Sequence, residues 1–211
     1  EYERQVHGGP VFGEGNAHWY WSGLLDGVEA QFGIGWPANE GMSAPLMVDF
    51  DLLKMHPLQE NHGMGYYERW WKSRINLAAL PPMVIMDQYR MQEIAYGHNG
   101  FLSKDIWSNI PYAWLEHSLV TPVSSRYAEA VPVSIEYKIG EKWVDPTEAA
   151  KSGSWDRVRI RYDNGLKVVA NNAKETLNEG DYTLPQYGWF AEGAGVTAYT
   201  AIRNGAVADY A

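Results

Sequence analysis

The sequence predicts an α/β segment over residues 1–118 followed by an antiparallel all-β domain, a small sandwich with a helical lead-in, over residues 119–211. Three observations carry that prediction. All six histidines (His7, His18, His56, His62, His98, His117) and seven of the ten tryptophans precede residue 118, so the composition changes there. Beyond it, short stretches alternate apolar and polar residues and are punctuated by Asn-Gly and other glycine turns, the pattern of half-buried strands joined by hairpins. Before it, short apolar runs that end in glycines or acids alternate with helix-patterned stretches, which is how βα units read.

In chain order, "GGPVFGEG" is a short apolar strand ending in glycines, and "LLDGVEAQFG" reads as a short helix or loop. "APLMVDFDLLKMHP" carries an apolar run, Leu46–Val48, and then Asp49 and Asp51. "GMGYYERWWKSRINLAAL" and "MVIMDQYRMQEIAYG" have helical spacing, with Pro81-Pro82 separating two units. "SKDIWSNIPYAWLEHSLVTPVSSRYAEA" supplies one or two helices leading into the β-domain. There, "VPVSIEYKI" places Val131, Val133, Ile135, Tyr137 and Ile139 on one face. "DPTEAAKSG" reads as one short helical turn. In "WDRVRIRYDNGLKVVANN", Val158, Ile160 and Tyr162 alternate with Arg157, Arg159 and Arg161, and Asp163-Asn164-Gly165 turns the chain back. The last 31 residues, from Asp181, hold several more short strands separated by glycines and by Asn204-Gly205.

The bulk properties exclude several classes. Over 211 residues, 45% hydrophobic and 20% charged residues are ordinary for a chain with a real core. A net charge of −9 and a pI near 5.1, with no basic cluster, argue against a nucleic-acid or anionic-membrane surface. No apolar run is long enough to span a bilayer. Without cysteine there are no disulfides, zinc-thiolate sites or cysteine nucleophile. No phosphate-binding glycine loop, HExxH or G-x-S-x-G pattern occurs.

Aromatic content is high at 14%, with ten Trp and fourteen Tyr. Such rings fill cores, and they also stack on the apolar faces of sugars. Glu14 sits between glycines at a strand end, the position at which α/β barrels carry catalytic groups, with His18, Trp19 and Trp21 close behind. The plain alternative for Glu14 is a surface acid in a turn. Asp49 and Asp51 flank Phe50 and fall on one side of an extended segment, which suits acid and nucleophile work or a cation site, against the alternative of a helix cap. His62, Tyr66 and Tyr67 lie near Glu60 around two glycines. Glu93 and His98 are five apart and share no face of a continuous helix, so they converge only if Gly97 ends it. Glu116-His117 reads as structural.

The stretches "GPVFGEGNAHWYWSGLLDGVEAQ", "PLMVDFDLLKMHPLQENHGMGYYERWW", "EIAYGHNGFL", "RYDNGLKVVANN" and "LPQYGWFAEG" together resemble the C-terminal part of large bacterial glycoside-hydrolase-like proteins, a TIM-type (β/α)8 barrel followed by an antiparallel β-sandwich. The resemblance runs over essentially the whole chain. It implies glycosidic-bond cleavage by two carboxylates. On the matching positions, Glu14 is first choice, Asp49 second and Glu93 in reserve, with His18, Trp19, Trp21, His62, Tyr66, Tyr67 and His98 holding sugar rings and hydroxyls. No cofactor is implied, apart from the option of a structural calcium near Asp49 and Asp51. The expected partner is carbohydrate and the expected location secreted or periplasmic. A whole barrel takes about 250 residues, so residues 1–118 supply only part of one: either the missing half is on another chain or was cut away, or two copies complete each other, or this part folds differently. The competing expectations are a non-catalytic carbohydrate-binding protein and a structural accessory whose tryptophans are core.

Overall fold

A computed structural model of the chain describes residues 2–9, 11–14, 27–30, 59–61, 82–97 and 110–211. The N-terminal part contributes a short helix α1 (Tyr2–His7) and three strands, β1 (Phe12–Glu14), β2 (Gly27–Ala30) and β3 (Gln59–Asn61). These pair in parallel, in the order β1-β2-β3. Two longer helices follow, α2 (Pro82–Tyr96) and α3 (Ile110–Tyr127). The remainder is β4 (Pro132–Ile139), β5 (Lys142–Val144), α4 (Pro146–Ser152), β6 (Arg157–Tyr162), β7 (Lys167–Asn171), β8 (Leu177–Glu179), β9 (Tyr182–Leu184), β10 (Trp189–Gly193), β11 (Val196–Arg203) and β12 (Ala206–Tyr210).

Seven of these strands form one antiparallel sheet, ordered β12-β11-β10-β7-β6-β4-β5. Its register is a single row across all seven strands: Asp209, Thr200, Trp189, Ala170, Val158, Tyr137 and Val144 are successive partners. This face carries the helices. Met91, Ile94 and Ala95 of α2 and Leu119, Val120, Val123 and Tyr127 of α3 share one core with Ile135, Tyr137, Ile160, Val168, Trp189 and Ala198. Helix α2 lies over β7 and α3 over β11, where Ala170, Ala191 and Ala198 leave room for a helix to approach.

The opposite face is covered by the β8–β9 ribbon. Leu177, Tyr182 and Leu184 pack on Val169, Phe190 and Ala201, and the Tyr182 and Phe190 rings stack with centroids 4.1 Å apart. The arginines that alternate along β6 fasten this layer. Arg159 donates to both Glu136 oxygens at 2.9 Å and to Glu179 of the ribbon at 3.1 Å, and its guanidinium lies 4.4 Å from the centre of the Trp143 ring. Burial opposes ionisation of Glu136, but Arg159 and Arg161 outweigh it and hold its carboxyl below the usual range.

The local rules are obeyed closely in this region. Asp145 caps α4 by accepting from the Glu148 backbone N–H at 2.9 Å, and Gly153 closes it in the left-handed conformation, so "DPTEAAKSG" makes a seven-residue helix. Asn204 and Gly205, both at positive φ, make the two-residue turn between β11 and β12. Gly193 is needed for space as well as conformation: a Cβ there would collide with the carbonyl oxygen of Gly165.

Two expectations are corrected. In place of a β-sandwich there is one seven-stranded sheet with helices on one face and a two-stranded ribbon on the other. The chain is therefore mixed α/β with a sheet-rich region, and the described residues do not form a barrel. Residue 118 falls inside α3, whose C-terminal half is part of the sheet's own core. The second correction concerns "VPVSIEYKI". The β4–β6 register shifts between Pro132 and Ser134, a bulge that leaves Val133 as an extra residue. Alternation is reset there, so Ile135 and Tyr137 are buried while Val131 and Val133 are exposed. Ile135→Ala should cost about 2–5 kcal/mol, and Val133→Ala within about 0.5 kcal/mol, by urea unfolding. Equal losses would contradict the bulge.

Candidate functional site

The three parallel strands bring together residues that are far apart in sequence. Their register pairs Glu14 with Glu29 and Glu29 with Glu60, so three glutamates occupy one row across β1, β2 and β3. Neighbouring strands lie about 4.8 Å apart, which puts adjacent row positions about 5 Å and the outer two about 10 Å from one another along the hydrogen-bonding direction. Like charges directly opposite one another destabilise a sheet. The connections, residues 15–26 and 31–58, are of the length that parallel crossovers require. Glu14 is the last residue of β1, as the glycine-flanked strand end predicts. The segment holding His18, Trp19 and Trp21 begins directly after it, and the one holding His62, Tyr66 and Tyr67 begins directly after β3.

Glu29 was not legible. "LLDGVEAQFG" reads as helix or loop, but Gly27–Ala30 is the central strand of the three, paired on both sides. Four residues are too few for a periodicity, and only pairing with β1 on one side and β3 on the other selects the extended form. His18, Trp19, Trp21, Asp49, Asp51, His62, Tyr66, Tyr67 and His98 lie outside the described residues.

Glu93 lies on α2 and is 1% exposed. Its neighbours Met91, Ile94 and Ala95 are core residues. Burial pushes the Tyr96 and Tyr127 hydroxyls up, and the Glu93 carboxylate adds to that shift in both. Tyr127 in turn stacks on Tyr162 at 5.9 Å. Glu93 thus sits among tyrosines inside the helix–sheet core. Gly97 has a positive φ and its N–H reaches the Ile94 carbonyl at 3.3 Å, ending α2 where convergence of Glu93 and His98 requires it to end.

A second polar cluster was not anticipated as a unit. The Arg90 side chain of α2 has no exposed surface. Its Nε donates to the two Glu116 oxygens of α3 at 2.8 and 3.0 Å, and its Nη2 also pairs with Glu116. Its Nη1 reaches Asp87 at 3.1 Å, the Thr200 hydroxyl at 3.4 Å and Asp209 at 3.5 Å. Thr200 donates to Asp209 at 2.6 Å. Burial pushes the Asp87 and Glu116 carboxyls up against the pull of Arg90. The structural reading of Glu116 agrees with this placement. The signal in the sequence was a helix with polar residues on several sides: Asp87, Gln88, Arg90, Gln92 and Glu93 interrupt the apolar positions of α2.

Among the described residues, no helix is long and apolar enough to cross a membrane, and no three His, Asp or Glu side chains are grouped to hold a metal ion. No family model and no curated protein matches the chain.

Removing the guanidinium should leave Glu116 buried without its cation. Arg90→Leu should lower stability by about 3–5 kcal/mol, and Arg90→Leu with Glu116→Leu should recover much of that loss. Urea unfolding of both variants measures the difference. An additive double variant would contradict the pairing.

Proposed function

We propose that the chain is the C-terminal part of a glycoside hydrolase, with its carboxylate pair drawn from Glu14, Glu29 and Glu60. The observation that carries this reading is their shared row across three parallel strands. Consecutive parallel strands in the order β1-β2-β3 are what a (β/α)8-type barrel uses, and the active site of such a barrel gathers at the C-terminal strand ends. Of the sequence-predicted ring and histidine groups, all but His98 lie in the segments that follow β1 and β3, which is where that architecture seats its substrate. The remaining strands of the barrel would come from further chain or a second copy, and the seven-stranded sheet would be its accessory domain.

Two carboxylates about 5 Å apart suit a retaining mechanism, in which one attacks the anomeric carbon while the other protonates the departing oxygen. Glu14 with Glu29, and Glu29 with Glu60, occupy adjacent positions of the row, on strands about 4.8 Å apart. Trp19, Trp21, Tyr66 and Tyr67 would stack on sugar rings, and His18, His62 and His98 would bind hydroxyls.

The test is hydrolysis of a panel of aryl glycosides and polysaccharides by the full-length protein, with Glu14→Gln, Glu29→Gln and Glu60→Gln beside the parent. Two of the three should lose turnover by about 10²-fold or more, with glycan binding retained. If all three keep parental turnover, the assignment is wrong. Glycan binding by the parent without any hydrolysis would replace this reading with that of a carbohydrate-binding protein.

A further inference from the structure

The Arg90 cluster has more acid than base. Around one guanidinium stand Asp87 from its own helix, Glu116 from α3 and Asp209 from β12, while β11 contributes only the uncharged Thr200. These are the charged groups that the described elements direct at it. Glu116 is as buried as Arg90, and the Asp87 and Asp209 side chains are each 27% exposed. With all three carboxylates ionised the cluster carries two surplus negative charges at the junction of two helices and an edge strand. Asp209 is the residue through which β12 touches the cluster, directly at 3.5 Å and through Thr200 at 2.6 Å.

We propose that Asp87, Arg90, Glu116 and Asp209 form an acid-tightened latch that fixes the C-terminal strand β12 to the helical layer. At neutral pH the carboxylates compete for one cation and repel one another, and β12 is held at its loosest. Uptake of one proton removes one of those charges, frees a donor and lets the guanidinium satisfy the rest.

The direction follows from the carboxyls whose pKa is raised in the folded state, Asp87 and Glu116. For such groups the stabilising contribution is fully present below their unfolded values and is lost as pH rises through the folded ones. Glu136 has the opposite sign: its contribution is present above its unfolded value and lost as pH falls through its depressed folded value, so it does not act in the same window.

The experiment is thermal unfolding of the full chain from pH 7.5 to 4.5, together with hydrogen exchange over Ala206–Tyr210, corrected for intrinsic rates. The expected result is a Tm higher by about 2–4 °C at the acid end and slower exchange in β12. Asp87→Asn should match or exceed the parental Tm at pH 7.5 and lose at least half of the acid gain. A parental Tm that falls over this range, unchanged β12 protection, or an undiminished gain in Asp87→Asn would overturn the latch. Should that variant fail to fold, exchange in the parent protein decides the matter without any variant.

Discussion

The architecture depends on how one buried cation is satisfied. A guanidinium without exposed surface is tolerated only where its N–H groups find acceptors, because desolvating a charge costs several kcal/mol. Arg90 finds them on α2 itself, on α3, on β11 and on β12. The apolar contacts between helices and sheet are permissive: aliphatic side chains such as Ile94 and Val123 tolerate small shifts of one element against another. The two-oxygen contact with Glu116 does not, since moving α2 by one residue would aim the fork elsewhere. Burial supplies most of the attraction between the layers, and the ion cluster selects which alignment of α2, α3 and the sheet edge is occupied.

That alignment is transmitted by the sheet register. Thr200 and Asp209 belong to the row that runs through Trp189, Ala170, Val158 and Tyr137 to Val144. A one-residue slip of β12 would turn Asp209 to the ribbon face and bring Ala208 or Tyr210 to Arg90. It would also separate Tyr199 from Tyr210, which stack at 5.2 Å on that face. Polar and aromatic pairing therefore fix the same register from opposite sides. Small residues do the complementary work beneath the helices, where Ala170 beside Trp189 leaves space for the indole within a row otherwise made of larger side chains.

The sequence was most legible where structure is local. The Asp145 cap, the Gly153 stop, the Asn204-Gly205 turn and the strict alternation of Val158, Ile160 and Tyr162 each depend on residues within a few positions of one another. It was least legible where distant segments decide. The bulge at Val133 is produced by pairing with β6 and is invisible in an uninterrupted alternation of valines and isoleucine. A helix and a second sheet can each cover an apolar sheet face, so the identity of the covering layer does not follow from strand patterns. The same limit applies to the candidate site. Glu14 stood out because its glycines are neighbours in sequence, whereas Glu29 and Glu60 acquire meaning only from the register of three parallel strands.

The distribution of charge separates the two parts of the molecule. In the antiparallel sheet and its ribbon several acids are matched with bases: Glu136 with Arg159 and Arg161, Glu179 with Arg159 and Lys138, and Glu192 with Lys167 at 2.6 Å. Glu93 is enclosed among core residues. Carboxylates used in this way hold a fold together and have little left for a ligand. The row in the parallel strands is of another kind: it places Glu14, Glu29 and Glu60 in register with one another. Three like-charged residues in register are a poor choice for pairing strands, and no propensity for β-structure recommends glutamate there. A site that must protonate one oxygen while keeping a second carboxylate ionised gives a reason to keep acids there despite that cost, which is why the functional reading rests on this row and not on the antiparallel sheet.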